Sequence, residues 1–487
     1  MVIDSQLDGD RRQQLFQSGQ LPVSELGFDA ARVQLQVTAG LRVELALQFL
    51  DHARTQLGEA FRSASMPHEL ELPTGTSYVR VGVVAIGAGS AVVRRLVLGR
   101  ITSNDPPRIV GRSRILLVTN GYPAAGMLYR NGFVHRRVLD YRRAGVDVDV
   151  FCHRPHEPLT YHEFEGIDVV SGRGELLRRM LATNRYETVL VHFLDDEIWR
   201  QLRPRLDELR VVVWIHGAEI HPWQRRSFNH TTPEELASAK SSSKSRVELW
   251  NGVLKPLHPN VHLVTVSRTF ADEIEQDYEV ALPAAQHTVI HNIIDTELFR
   301  YEPKPASQRT KILSIRPFAS RQYANDLSVE AILALATRPW FGELDFHLVG
   351  DGPLFDETVA PLRKLRNVSI DRRFARQDEI AELHRTHGVF LCPTRWDSQG
   401  VSRDEAMASG LVPVTTRIAA VPEFVDEECG FLAPPDDALA LAAAIETLYL
   451  DPARFQRMSA RAAARVRADR ASAHTTMREL ALIRGRG

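Results

Sequence analysis

Apolar and polar residues follow two different patterns along this chain, and the change comes near residue 108. Upstream of it, short runs alternate apolar and polar positions between turn-rich segments, and these runs span 33–37, 43–47, 77–83 and 92–98. Alternation with a period of two is typical of strands that bury one face. The pattern therefore predicts a small antiparallel β-sandwich domain over residues 1–108.

Downstream, the apolar runs become continuous, and longer segments compatible with helices lie between most of them. A first series of runs spans 115–118, 146–151, 189–192, 211–216 and 261–266. A second series spans 311–315, 346–349, 368–370, 389–392 and 412–415. Continuous apolar strands joined by helices are typical of parallel sheets covered on both faces. We therefore predict an α/β fold with two Rossmann-like domains, residues 109–303 and 304–487.

Composition narrows the class of protein. A chain of 487 residues is long enough for about three domains. Its 44% hydrophobic residues, 25% charged residues and formal net charge of −1 are those of an ordinary globular protein and give no reason to expect a nucleic-acid partner. One biased stretch, ASAKSSSKS at 237–245, predicts a mobile or solvated segment.

Cysteine content and hydropathy bear on location. The 3 cysteines lie far apart, so we expect no disulfide framework and a reducing compartment. The chain contains no apolar run of about 18 residues, and its first residues, MVIDSQLDGDRRQQLF, are mostly polar. This pattern predicts neither a transmembrane helix nor a secretory signal. We expect a cytoplasmic protein, with peripheral contact to a membrane left open.

The strongest chemical signal is the segment 397–410, DSQGVSRDEAMASG, which follows the apolar run at 389–392. It is predicted to form a turn between a buried strand and the start of a helix. Backbone N–H groups at such a helix start point toward an anion, and the helix dipole adds to the attraction. The N–H groups concerned are those of Gly400, Val401 and Ser402. Glu405 can accept hydrogen bonds from two vicinal ribose hydroxyls.

This segment resembles the nucleotide-sugar signature of family 4 glycosyltransferases, which are retaining enzymes of the GT-B fold. In that signature, two glutamates separated by seven residues flank a glycine-containing turn; here Asp397 stands for the first glutamate and Glu405 for the second. The resemblance implies two facing Rossmann-like domains, with Asp397 on the donor sugar and Glu405 on the ribose. The aspartate reaches about 1.3–1.5 Å less far. The alternative interpretation makes Asp397 a helix cap and Glu405 a solvated first-turn carboxylate.

The same resemblance assigns further donor residues at the ends of strands, where open parallel sheets bind their ligands. Arg316 and Arg321 stand where the family has an arginine and a lysine that contact the donor diphosphate. The alternative is two surface arginines in a loop. Donor contacts are also expected from the VGDGP turn and the loop after the next strand, specifically Gly350, Gly352 and Arg373. A GDGP sequence alone is also an ordinary tight turn.

The first Rossmann-like domain is expected to supply the acceptor side. His216 follows the run at 211–215, where the family places a histidine that faces the donor sugar and acceptor. A structural histidine at a strand end is the alternative. The loop after Thr119 resembles the glycine-containing loop that covers the acceptor and phosphates, and its expected contacts are Gly126, Tyr129, Arg130 and Asn131. Asn292 and Asp295 are interpreted as hinge and capping residues.

Two other patterns suggest metal sites, and neither is convincing. Asp147 and Asp149 form a DVD sequence, but they lie inside an alternating run, where they would share one face of a strand. His153, His156 and His162 lack a carboxylate or cysteine at a recognised ligand spacing, so a solvated loop is favoured. We therefore predict no metal site and no cofactor.

Together these features predict a retaining, metal-independent glycosyltransferase. It would move a sugar from a nucleotide-diphosphate sugar, with UDP- or GDP-sugars expected, to a glycan, lipid-linked glycan or other hydroxyl acceptor. One alternative is a sugar-nucleotide epimerase or hydrolase of the same fold. The other is a non-catalytic glycan-binding protein, in which residues 1–108, whose layout resembles jelly-roll modules attached to carbohydrate enzymes, would bind the glycan. The other interpretation of that domain is a structural or oligomerisation role.

Overall fold

The computed structural model describes residues 2–6, 12–23, 30–37, 42–63, 68–69, 72–99, 113–124, 130–157, 160–184 and 186–485. The chain divides into two compact units, residues 1–213 and 214–487. Each unit is described by itself below.

The first unit begins with antiparallel strands, as the alternating pattern predicts. Their bounds are β1 Val2–Gln6, β2 Arg12–Gln17, β3 Leu21–Pro22, β4 Ala30–Val37, β5 Arg42–Leu50, β6 Gln56–Ser63, β7 His68–Glu69, β8 Tyr78–Ile86 and β9 Ala88–Gly99. They form two sheets, β1-β9-β4-β7 and β2-β8-β5-β6, with β3 paired to β8. Leu45 and Val79, on adjacent strands, are both 0% exposed. The antiparallel sheets are present, and their packing as a jelly-roll sandwich stays a prediction.

A third sheet of the first unit is mainly parallel. Its strands are β10 Ile115–Thr119, β11 Asp149–His153, β12 Thr160–Phe164, β13 Ile167–Gly172, β14 Thr188–His192 and β15 Arg210–Ile215. They follow the order β12-β13-β11-β10-β14-β15. The central strand β10 pairs in parallel with β11 and β14, whereas β12 is antiparallel to β13. The boundary between the two units falls within β15.

The second unit contains its own parallel sheet. Its strands are β16 Val261–Thr265, β17 His287–Val289, β18 Lys311–Ile315, β19 Asp345–Gly350, β20 Val368–Arg372, β21 Val389–Leu391, β22 Val412–Thr416 and β23 Phe431–Ala433. The last six of these strands form a sheet of the order β20-β19-β18-β21-β22-β23, and β16 pairs in parallel with β17. Strand residues such as Ile312 and Phe346 pack with helix residues such as Ile332 and Ile445 in one apolar core. Apolar burial on both faces explains why these strands lack alternation.

Helices connect most of the parallel strands. Their bounds are α1 Gly132–Arg143, α2 Gly174–Thr183, α3 Asp196–Leu202, α4 Pro233–Leu254, α5 Arg268–Tyr278, α6 Asn325–Leu335, α7 Phe355–Val359, α8 Gln377–Thr386, α9 Val401–Ala408, α10 Val421–Phe424, α11 Ala438–Leu450, α12 Pro452–Asp469 and α13 Ser472–Ile483. Short 3₁₀ helices include Trp223–Asn229 and Arg321–Tyr323. Within the described part of the chain, none of the helices combines the length and the apolar character needed to cross a bilayer.

The structure adds a helix to the solvated segment predicted for residues 237–245. This serine- and lysine-rich segment lies inside α4, so it is helical, although most of its side chains are exposed to solvent as expected. The helix starts with a capping box, in which Thr232 Oγ1 accepts from the Glu235 N–H and the Glu235 carboxylate accepts from the Thr232 N–H. Such a cap, with proline at the first turn, compensates for a serine-rich interior.

Candidate donor site

The turn between β21 and α9 has the geometry that the sequence predicts. Gly400 is the N-cap of α9 and has φ +95°, a left-handed conformation that favours glycine. Asp397 precedes it, and its Oδ1 accepts from the Gln399 N–H at 3.2 Å. Glu405 lies one turn into α9 and is half-buried. The first N–H groups of α9, including those of Val401 and Ser402, are therefore at a helix start, where an anion is favoured.

Arg316 is brought directly to this turn. It follows β18 and is 5% exposed. Its Nη1 donates to Ser402 Oγ at 3.3 Å, and its Nη2 donates to Pro393 O at 3.4 Å. Its guanidinium carbon lies 5.0 Å from the centroid of the Tyr323 ring. The buried Nε has no hydrogen-bond partner within the described residues. A buried cationic donor at a helix start suits an anionic ligand.

Arg321 is placed differently from Arg316. It begins a 3₁₀ helix, and its carbonyl oxygen accepts from Arg395 Nη1 at 3.0 Å. Its charge contributes to lowering the pKa of the Glu235 carboxyl, behind the hydrogen bonds from Thr231 and Thr232. The Arg321 side chain therefore lies within electrostatic reach of the start of α4, and its contact with a diphosphate stays a prediction.

The GDGP turn packs against the backbone that carries Arg316. A Cβ atom on Gly350 would lie 2.0 Å from Arg316 O, and one on Gly352 would lie 2.4 Å from the Phe318 carbonyl carbon. The Phe318 N–H donates to Asp351 O at 2.9 Å. These glycines thus permit two turns to pack closely. The contact of Gly350 and Gly352 with a nucleotide stays a prediction.

Arg373 follows β20 at the same edge of the sheet. Its N–H donates to Gly350 O at 3.0 Å, and its guanidinium lies 3.6 Å from Asp371 and 3.4 Å from Glu379. Phe374, the next residue, is 52% exposed. The arginine is therefore held by carboxylates, and an exposed ring stands beside it.

His216 lies immediately after β15, as predicted, and is half-buried. Its carbonyl oxygen accepts from Ser398 Oγ at 3.1 Å, which places it beside the residue that follows Asp397. Its N–H donates to Glu219 Oε1 at 2.6 Å. Glu219, missed in the sequence analysis, has a second carboxyl oxygen without a partner in the described structure. Burial raises the pKa of the Glu219 carboxyl to about 7, against the opposing effect of backbone N–H groups.

Trp396, which directly precedes Asp397, packs against the segment that follows β15. Its ring packs on Gly217, where a Cβ atom would lie 2.4 Å from Cη2, and on His221 at a centroid distance of 4.5 Å. Its Nε1 donates to Glu273 Oε2 at 3.1 Å. The sequence shows Trp396 directly before the predicted sugar-binding residue Asp397. It does not show the contacts of Trp396, because its partners, such as Glu273, lie more than 120 residues away along the chain.

A buried polar network lies beneath the turn, and sequence reasoning missed it entirely. Its members are Gln399 (1% exposed), Arg403 (2%), Asp404 (0%) and Arg470 (1%). Gln399 Oε1 accepts from the Asn292 N–H at 2.6 Å, and Gln399 Nε2 donates to Asp404 Oδ2 at 3.0 Å. Asp404 and Arg403 form an ion pair at 2.8 Å. The turn is therefore fixed to a distant segment, and the predicted hinge residue Asn292 is buried in that contact.

The predicted acceptor loop is only partly described. Gly126 and Tyr129 lie outside the described residues. Arg130 is exposed. Asn131 has φ +54° at the N-cap of α1, and its Nδ2 donates to Asn120 Oδ1 at 3.0 Å and to Gly121 O at 3.2 Å. The amide thus closes its own loop, and its contact with an acceptor stays a prediction.

Two details of the rejected metal sites need correction. Strand β11 begins at Asp149, so Asp147 lies outside it, and Asp149 is buried and accepts from Tyr186 Oη at 2.7 Å. His153 is not in a solvated loop: it ends β11 and is 1% exposed. Across the described ranges, no group of three or more His, Cys, Asp or Glu is arranged to hold a metal ion. The absence of a required metal stays a prediction.

Known proteins share both sequence and fold with this region. Residues 309–451 match the family model "Glycosyl transferases group 1". This match covers the sheet of the second unit and every donor residue predicted between Arg316 and Glu405. A glycogen synthase from Mycobacterium tuberculosis is 27% identical over 212 residues, which are 42% of this chain and 50% of the relative. The chain thus spans about half the length of this curated relative.

Solved structures extend the similarity over most of the chain. A sucrose-phosphate synthase from Thermosynechococcus elongatus aligns with a TM-score of 0.59 at 18% identity and covers 77% of this chain and 99% of its own. HepE from Anabaena, solved with UDP and glucose, aligns with a TM-score of 0.54 at 14% identity and covers 76% and 99%. At such identities the likeness concerns the fold alone. The predicted GT-B fold class is confirmed.

Proposed function

We propose that this protein is a retaining, metal-independent glycosyltransferase that uses a nucleotide-diphosphate sugar and acts in polysaccharide or glycoconjugate synthesis. The observation that carries the proposal is the buried Arg316, which donates a hydrogen bond to Ser402 at the start of α9 and whose Nε has no partner among the described residues. A cationic donor and free helix N–H groups at one point are suited to a diphosphate. The match over residues 309–451 supports the same assignment.

The residues divide the proposed work according to their positions. Arg316 and the N–H groups of Gly400, Val401 and Ser402 would hold the diphosphate and stabilise the charge that grows on it as the sugar leaves. Glu405 would accept from the ribose hydroxyls and Asp397 from the sugar hydroxyls. His216, beside Ser398, would orient the sugar and acceptor.

In this proposal, the configuration at the anomeric carbon is retained because the acceptor attacks from the same face that the diphosphate leaves. No side chain is assigned as a nucleophile. The acceptor oxygen forms a bond to the anomeric carbon as the bond from that carbon to the diphosphate oxygen breaks. The departing diphosphate oxygen takes the acceptor proton. Arg316 would hold that oxygen in a position from which it can accept the proton. UDP and glucose in HepE support a UDP-sugar as the first donor to test.

The test is turnover with UDP-, GDP- and ADP-sugars, with and without glycan acceptors, followed by nucleotide release. We expect release that depends on an acceptor and persists in EDTA. Release or isomerisation without an acceptor would indicate a hydrolase or epimerase, and loss in EDTA with rescue by manganese would contradict metal independence.

The variant Glu405→Gln tests the ribose contact in the same assay. We expect its donor dissociation constant to rise by about 10-fold, because an amide replaces a charged acceptor of two hydroxyls. Glu427→Gln is the control, since Glu427 is a 90% exposed carboxylate of the same unit. An unchanged donor affinity in Glu405→Gln would remove the ribose assignment.

A further inference from the structure

The indole of Trp396 packs between the Asp397 turn and the segment that follows β15. The residue is 7% exposed. Its ring fills the space beside Gly217, where φ is +125° and a Cβ atom would lie 2.4 Å from Trp396 Cη2. The ring also packs edge-on against His221, at a centroid distance of 4.5 Å. A side chain on Gly217 would therefore displace the indole.

Glu273, on α5, binds the one polar atom of this ring. Trp396 Nε1 donates to Glu273 Oε2 at 3.1 Å. The same carboxylate lies 3.4 Å from His221 Nε2 and 3.6 Å from Arg225 Nη1. Burial raises the pKa of the Glu273 carboxyl, but the contacts with His221, Trp396 and Arg225 outweigh burial, and the net pKa is lowered. The indole N–H thus donates to a carboxylate, which makes a stronger hydrogen bond than a neutral acceptor.

Helix α5 is bound a second time by the chain that follows the turn. Glu423, on α10, accepts from the Arg268 N–H at 2.9 Å and from the Thr269 N–H and Oγ1 at 3.0 Å. Just before α10, the Ala420 N–H donates to Asp397 O at 3.3 Å. The segments before and after Asp397 are therefore both held by α5.

The two neighbours of Asp397 also contact the same strand end. Ser398 Oγ donates to His216 O at 3.1 Å, and the Trp396 ring packs on Gly217. These contacts fix the backbone of the turn relative to the backbone that carries His216. The separation of the two proposed sugar-contacting residues thus depends on the place of the indole.

We propose that Trp396 is a positioning residue for the transfer reaction: its indole, hydrogen-bonded to Glu273, keeps Asp397 and His216 at the separation at which donor sugar and acceptor are aligned. The proposal rests on the function proposed above. Trp396 and Glu273 are assigned no contact with either substrate and act through Asp397. Misplacing an aligned group by about 1 Å can lower a rate by about 100-fold.

The experiment separates turnover from nucleotide binding in Trp396→Phe, which keeps an aromatic ring beside Gly217 but removes the N–H. Turnover is measured with UDP-glucose, or with GDP- or ADP-glucose where the parent protein uses that donor, and with the acceptor found in the turnover screen above. We expect kcat to fall about 10-fold, because sugar and acceptor are less well aligned. Calorimetry should give an affinity for the matching nucleoside diphosphate within about threefold of the parent, because Arg316 and the start of α9 are unchanged.

Glu273→Gln tests whether the effect passes through this hydrogen bond. In the parent protein it should lower kcat about threefold, because an amide replaces the carboxylate acceptor. In Trp396→Phe the same change should lower kcat less than about 1.5-fold further, since the bond is already absent. Trp340→Phe is the control: it removes an indole N–H of the same unit from a ring that stacks on Tyr449 at 4.3 Å, and its kcat should match the parent.

The inference is overturned if Trp396→Phe retains the parent kcat. It is overturned equally if nucleotide affinity falls by the same factor as kcat, as a general disturbance of the fold would give, or if the two changes lower kcat independently in the double variant. Where Trp396→Phe does not fold, Glu273→Gln decides, and a parent kcat in that variant contradicts the inference. Failure of the proposed function is distinguishable, because the parent protein itself would then transfer sugar from none of these donors.

Discussion

At the residue scale, the candidate site is built from charged side chains that the fold has removed from water. Arg316 is 5% exposed and has a buried Nε without a partner within the described residues. Leaving such a donor unsatisfied costs about 1–3 kcal/mol. An anionic ligand would recover that cost on binding, which is one reason to place the diphosphate beside Arg316.

Glu219 gives a prediction at this scale. Burial raises the pKa of its carboxyl to about 7, whereas the unfolded chain ionises near the ordinary glutamate value of about 4.3. Between these values the folded state holds a proton that the unfolded state has released, so the free energy of unfolding should fall as pH rises from about 5 to 7. Glu219→Gln mimics the protonated form. We expect its Tm to equal that of the parent at pH 5 and to exceed it at pH 8.

The control for this measurement is Glu248→Gln, since the Glu248 side chain is 66% exposed. Thermal unfolding followed at both pH values decides the matter. An equal Tm for Glu219→Gln and the parent protein at pH 8 would show that Glu219 is ionised at little cost in the fold.

The sequence also limits what can be predicted residue by residue. Asp397, Gly400 and Glu405 lie within one short segment, so spacing alone places them on one turn. Arg403 and Asp404 belong to the same segment, yet their roles depend on Phe424 and Arg470, which only the fold brings near. The adjacent charges of Arg403 and Asp404 in the predicted helix were the available signal in the sequence.

At the scale of elements, apolar content decided which strands could be predicted. Strands such as β18 and β21 are continuous apolar runs and were predicted nearly to their bounds. Strand β12, TYHEF, is polar and antiparallel, and β17 has three residues, so neither has a pattern to find. Strand β11 starts at Asp149, later than predicted, because the Val146 N–H donates to Tyr141 O as the chain leaves α1.

His153 links two elements and gives a second prediction. It ends β11, and its ring nitrogens lie 2.9 Å from Asp195 and 3.3 Å from Glu197 at the start of α3. Burial lowers the pKa of His153, but the two carboxylates outweigh burial and the net pKa is raised. Its contribution to stability should be complete below the unfolded value of about 6.5 and be lost as pH rises through the folded pKa.

We therefore expect His153→Gln to lower Tm at pH 6 and to change it less at pH 8.5. The matched control is His156→Gln, because His156 is exposed and lies three residues along the chain. Circular dichroism at the two pH values provides the measurement. If His153→Gln lowers Tm equally at both pH values, the stabilising contact of His153 with its two carboxylate partners does not depend on the charge of the imidazole, and the prediction is wrong.

At the scale of the whole molecule, the chain forms two compact units, and the division falls within β15. His216, Arg316, Asp397 and Glu405 all belong to residues 214–487. The predicted domain boundary near residue 303 assigned His216 to a different domain from the others, and that boundary stays a prediction. The pattern of apolar residues predicts the strands, but it does not indicate to which compact unit each strand belongs.

The position of the donor residues leads to a last prediction, about unfolding. Of the 6 tryptophans, Trp199 alone lies in residues 1–213, so intrinsic fluorescence reports mainly on the second unit. A nucleotide that binds the native state at 100 times its dissociation constant stabilises it by about 2.7 kcal/mol. For a unit of this size we expect UDP, or another nucleoside diphosphate, to raise the fluorescence Tm by about 5–10 °C.

The control variant Trp199→Phe should show the same rise, because its remaining tryptophans all lie in the second unit. Glu405→Gln should show a smaller one at equal nucleotide concentration. A calorimetric transition that shifts with nucleotide while the fluorescence of Trp199→Phe does not would place the binding site in residues 1–213 and contradict the donor assignment.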